Sequence, residues 1–175
     1  LDAEEGLGSA ARGLAKLEVA CAARAWAEEV EARLPELSGE GRAAPGLVLR
    51  GARHPLLIEE LRAERLDAVV PIDLRLGGEF DLLILTGPNT GGKTVALKTL
   101  GLAGLFARCA LPFPCKEGSA VPLYEGVAVD VGDEQEIRQS LSTFSSHLVR
   151  IRDGLARAGS KTLVLIDELG GGTDP

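Results

Sequence analysis

Two hydrophobic periods divide this chain. Leu14, Leu17 and Cys21 recur at helical spacing, and Trp26, Val30 and Leu34 continue it in steps of four. Ser9 can cap that run and Pro35 ends it, so a long helix is expected over residues 1–36. The stretch PELSGEGRAAPG has Gly, Pro, Ser and charge without periodicity, which predicts a linker at 37–46. From residue 47 onward strands and helices alternate. LVLRGARHPLL reads as a strand with a turn at His54–Pro55, and AVVPIDLRL as a second strand. Leu82 to Thr86 is an unbroken apolar run of the kind buried on both faces of a parallel sheet. Val95, Leu97, Leu100, Leu105 and Phe106 then mark a helix. A further strand is expected near Gly126 to Val131, and a helix from Thr143 to Ala158 with Phe144, Leu148, Ile151 and Leu155 on one face. A last strand in KTLVLIDE ends in two carboxylates. The alternation predicts an α/β domain over 47–175 with a largely parallel sheet and ligand sites at the strands' carboxyl ends.

Between the apolar run and its helix lies GPNTGGKT, Gly87 to Thr94, which fits G-x-x-x-x-G-K-[ST]. Glycines at 87, 91 and 92 let the backbone curl until successive N–H groups face phosphate oxygens, and the helix that follows adds its positive end. Lys93 would reach the β- and γ-phosphates, and the Thr94 hydroxyl would ligate Mg²⁺. Gly87, Pro88, Asn89, Thr90, Gly91, Gly92, Lys93 and Thr94 are thus the expected contacts of ATP or ADP. Such a loop calls for an acidic strand end nearby. In LVLIDE, Asp167 would organise the metal and Glu168 would orient or deprotonate the attacking water. This adjacent pair favours water as the acceptor, hence ATP hydrolysis. A small-molecule phosphotransferase and a non-hydrolysing nucleotide-binding module are the alternatives.

Composition narrows the partners more than the chemistry. A net charge of −7 argues against a broad nucleic-acid footprint on this segment. The three cysteines lack metal-ligand spacing, and no apolar run is long enough to span a membrane, so a cytoplasmic protein with reduced thiols is expected. A start at Leu1 and a stop at Pro175 suggest a piece of a longer protein.

Three segments together, TGPNTGGKTVALKTLGL, GDEQEIRQSLSTFSSH and LVLIDELGGGTDP, resemble the MutS family of ABC-type ATPases. Within it they are most similar to the second bacterial paralogue, MutS-II, which carries a C-terminal Smr nuclease domain. The resemblance covers about residues 47–175, and the preceding helix resembles the end of the family's lever region.

It implies a P-loop fold, truncated here, that works as a homodimer closing two nucleotide sites. The parent would bind branched or recombining DNA through regions outside this chain, suppress homologous recombination, and possess a further association with stalled ribosomes. Ser142 resembles the signature serine that approaches the γ-phosphate of the opposite subunit; from residues alone it equally caps its own helix. Asn89 is placed near the γ-phosphate, and Val69 and Val70 fall where the family packs adenine. His54 and His147 are read as structural. The family's remaining strands, its γ-phosphate-sensing histidine and its dimerising helices are expected beyond Pro175, so hydrolysis by this segment alone is expected to be weak or absent.

Overall fold

The computed structural model describes residues 3–38, 46–64, 68–88, 92–131 and 141–167; within 3–4 and 141–147 only the backbone is described. Helix α1 spans Ala3–Val30 and strand β1 Glu36–Ser38, followed by β2 (Leu47–Ala52), α2 (Pro55–Glu64) and β3 (Ile72–Leu76). Then come α3 (Lys93–Arg108), β4 (Ala120–Pro122), β5 (Gly126–Asp130), α4 (Leu141–Arg157) and β6 (Thr162–Ile166). The mixed α/β class agrees with the sequence reading.

The long helix stops four residues before the expected Leu34. Glu31 adopts a left-handed φ of 55°, and the Ala32 N–H donates back to the Ala27 carbonyl at 2.8 Å. This is a Schellman closure with glutamate where glycine is usual. An Arg53 Nη2 donor takes the Val30 carbonyl at 2.7 Å and the Glu31 carboxylate at 3.1 Å, holding the turn. The chain then runs extended: Arg33 and Phe113 exchange backbone bonds, and Glu36–Ser38 pairs with β4. The start of the expected linker therefore belongs to a sheet; 39–45 lie outside the described residues.

Sheet topology departs from the expected parallel order. One sheet runs β1-β4-β2-β3, with β1·β4 parallel but β2·β3 and β2·β4 antiparallel; a separate pair, β5·β6, is parallel. The reason is legible in IDLRL of β3, where Ile72, Leu74 and Leu76 pack toward the core and Asp73 and Arg75 face outward. A sheet with one wet face is characteristically antiparallel, whereas parallel strands are apolar on both faces. A second departure concerns Leu82 to Thr86. Among the described residues it joins no ladder, and Leu82 and Ile84 are each 73% exposed. Hydrophobicity sets a preference for burial, but a strand exists only where another strand supplies the ladder.

The core is assembled from Leu47 and Leu49 of β2, Leu100 and Ala103 of α3, Phe113, Val121, and Leu163 and Leu165 of β6. Phe106 of α3 meets Phe113 edge-on at 5.4 Å and Trp26 of α1 at 5.9 Å, so the carboxyl half of α1 is seated on the domain by aromatic contact. Toward its amino end and middle it leaves Leu7, Leu14 and Leu17 exposed. Helix α4 also differs from expectation in its facing: Gly154 approaches Ala128 of β5, while Leu148 and Leu155 of the apolar stripe are about half exposed.

Candidate nucleotide site

Helix α3 begins at Lys93 with Gly92 as its N-cap, in the left-handed region at φ 77°, and no side chain caps the helix. Gly87, at φ 145°, makes the other bend. A Cβ at either position would meet open space, so the need for glycine there is conformational rather than steric. The uncapped first turn leaves N–H donors directed out of the helix end, where an anion is favoured. Lys93 folds back so that its Nζ donates to the Gly87 carbonyl at 2.5 Å, placing the ammonium over the mouth of the bend.

Thr94 and Asp167, far apart in sequence, meet in space: the Thr94 hydroxyl donates to Asp167 Oδ2 at 2.6 Å. The fold brings this about through the β5·β6 pair. Leu163 and Leu165 of β6 face α3, where Gly101 and Gly104 let the helix lie close to the strand. By the period of two, Asp167 emerges on that same face at the carboxyl end, opposite the first turn of α3. A hydroxyl and a carboxylate oxygen are hard donors of the kind that hold Mg²⁺ alongside phosphate oxygens, so the pair fits that ion.

On the other face, Ala128 contacts Gly154, and the nearly buried Asp130 carboxylate lies 3.7 Å from Arg150 Nε. The backbone joins the faces, since the Asp167 N–H donates to the Asp130 carbonyl at 2.9 Å. Reading the sequence residue by residue passed over Asp130, Arg150 and Gly101; the acidic turn after β5 was the available signal. An open groove of about 520 Å³ lies on the α4 side, lined in part by Val127, Val129, Arg150 and Arg157, and none of the described loop residues borders it.

Of the expected site residues, Gly87, Lys93, Thr94 and Asp167 are brought together. Pro88 adjoins them and is exposed. Asn89, Thr90, Gly91 and Glu168 lie outside the described residues, and Ser142 is placed only as part of the α4 backbone. Val69 is half-buried and Val70 is 78% exposed, and both precede β3. His54 is structural: its Nδ1 accepts the Leu57 N–H at 3.2 Å, capping α2. Burial, and then the nearby Lys98 cation, hold its pKa below the usual histidine value. No helix among the described residues is long and apolar enough to cross a membrane.

A glycine-capped helix whose first hydroxyl meets the carboxylate at a neighbouring strand's end places the chain among mixed α/β proteins with a candidate phosphate-binding end. Residues 83–175 match the family model described as MutS domain V, and the chain belongs to that family. It is 47% identical over 169 residues to Endonuclease MutS2 of Pelotomaculum thermopropionicum, covering 97% of this chain and 20% of that protein. Endonuclease MutS2 of Lactobacillus helveticus is 47% identical over 165 residues (94% and 20%), and that of Geobacillus kaustophilus 46% over 162 residues (93% and 19%). The chain thus spans about a fifth of the length of these curated relatives.

Proposed function

We propose that this chain is the nucleotide-binding part of a magnesium-dependent ATPase of the MutS family. The observation that carries the reading is the Thr94–Asp167 bond at the mouth of the glycine-bent loop. In this reading the loop's backbone N–H groups, which Pro88 lacks, would cradle the phosphates, and Lys93 would move from the Gly87 carbonyl to the β- and γ-phosphates. Thr94 and Asp167 would hold Mg²⁺, whose charge would offset that of the phosphate oxygens. Glu168 acts as the base for water, and Ser142 of a partner subunit approaches the γ-phosphate. Asn89 is assigned to the γ-phosphate, and Val69 and Val70 to the base, on the family resemblance alone.

The relatives' name supports an endonuclease parent, and we read that parent as a cytoplasmic, DNA-directed homodimer whose nuclease activity lies outside this chain. Branched or recombining DNA is its proposed substrate, with stalled ribosomes a second target.

Calorimetry on the full-length protein tests this reading. Mg²⁺–ATP should bind, and Lys93→Ala should abolish the heat of binding. Glu168→Gln should retain binding while turnover falls by roughly 10²–10⁴-fold, the usual contribution of a positioned base. Binding that survives Lys93→Ala would overturn the nucleotide site. Unchanged turnover in Glu168→Gln would overturn the base assignment, and phosphate transfer to an added acceptor would favour a phosphotransferase.

A further inference from the structure

We propose that Asp130 is a positioning residue for Asp167, and that Arg150 of α4 is the partner that holds it in place. The inference rests on the proposed role of Asp167 in holding the metal. Four residues form a continuous chain across the end of the β5·β6 pair. Thr94 on α3 bonds the Asp167 carboxylate at 2.6 Å, and the Asp167 N–H bonds the Asp130 carbonyl at 2.9 Å. The Asp130 carboxylate lies 3.7 Å from Arg150 on α4. The strand pair is thus fastened to one helix on each face, through Asp130 at the end of β5 and Asp167 immediately after β6.

The two aspartates differ in what surrounds them. The Asp130 side chain is 9% exposed while Arg150 is 59% exposed, so the carboxylate is fixed among packed groups and the guanidinium reaches in from solvent. Asp130 faces α4, as Ala128 does where it touches Gly154, and so does not share the face on which Asp167 meets Thr94. Its influence on the metal therefore runs through the backbone bond to Asp167, which sets the direction of that carboxylate. Groups that orient a metal-holding residue in this way change metal affinity by about 10- to 100-fold when removed. Arg150 also lies two turns along α4 from Ser142, so the same anchor fixes the seating of the helix that presents the signature segment.

The test is binding of Mn²⁺, read by its electron paramagnetic resonance, to the full-length protein saturated with a non-hydrolysable ATP analogue. Asp130→Asn keeps the side-chain shape and should weaken Mn²⁺ by about 10-fold while leaving metal-free analogue binding unchanged. Arg150→Gln, at an exposed position that folding tolerates, should weaken it in the same direction. Arg150→Lys should recover most of the affinity, and the double variant should be no weaker than Asp130→Asn alone. If Arg150→Gln tightens Mn²⁺, the two residues act only by through-space charge and the positioning role is overturned. Unchanged Mn²⁺ affinity in Asp130→Asn, or an equal loss of metal-free binding, also overturns it. The wild type and Lys93→Ala, measured alongside, separate this failure from failure of the nucleotide site itself.

Discussion

Gly101 and Gly154 offer a matched experiment on the packing that carries Asp167 to Thr94. Both are helical glycines facing a strand of the β5·β6 pair. An added Cβ at Gly101 would lie 2.8 Å from Leu165 Cδ1, whereas at Gly154 the nearest atom is Ala128 Cβ at an ordinary 3.5 Å. Replacing a mid-helix glycine by alanine stabilises a helix by about 1 kcal/mol, and both variants gain this. At Gly101 an opposing term enters, because Leu165 is 3% exposed and its methyl must move within a closed core. Overpacking of this kind costs about 1–3 kcal/mol. Gly154→Ala should therefore raise stability by up to about 1 kcal/mol, and Gly101→Ala should leave it unchanged or lower it by up to about 2. For a chain of this size the two melting temperatures should differ by roughly 2–12 °C, at about 2–4 °C per kcal/mol. Thermal and urea unfolding of the two variants, run in parallel, read the difference. Because Leu165 stands two residues before Asp167, Gly101→Ala should also weaken Mg²⁺-dependent ATP binding. Equal stabilisation by both substitutions would refute the claim that α3 sits at closest approach to β6.

Other expectations follow from single groups. Ala110 takes a left-handed φ of 52° at the end of α3, where Leu111 N–H reaches the Phe106 carbonyl at 2.9 Å. Ala110→Gly should remove about 1–2 kcal/mol of backbone strain against about 0.4–1 of added unfolded-state entropy. A net gain of up to about 1.6 kcal/mol is expected in urea unfolding, and a loss would contradict the assigned conformation. His54 accepts the Leu57 N–H and has a lowered pKa, so the folded state binds fewer protons than the unfolded chain. Its contribution is complete above the unfolded value of about 6.5 and is lost as pH falls below it through the folded value. His54→Asn keeps a cap acceptor and should flatten the fall in melting temperature between about pH 7 and 5; an unchanged slope would assign that pH dependence to other groups.

What the sequence alone determined was local. The glycine bend, the lysine and hydroxyl after it, and the helix they open are set by short-range conformational rules, and Gly87, Lys93 and Thr94 stand where those rules put them. Apolar strand-like runs also located β5 and β6 to within a residue or two, whereas β3 begins at Ile72, four residues after the expected Ala68. Which strands pair, and in which direction, was decided in three dimensions. The apolar run from Leu82 to Thr86 looked like a central strand, yet the ladder that would make it one depends on other segments. The stretch from Ala68 to Leu76 read as a strand, but its one wet face and its antiparallel neighbour β2 emerged only in the fold. Helical period located α4, while contacts with Ala128 and Asp130 decided that Gly154 and Arg150 face the strands in place of Leu148 and Leu155. Likewise, only the close seating of α3 on β6 places Thr94 against Asp167, because a contact across that separation is set by packing between elements and not by either element's own periodicity.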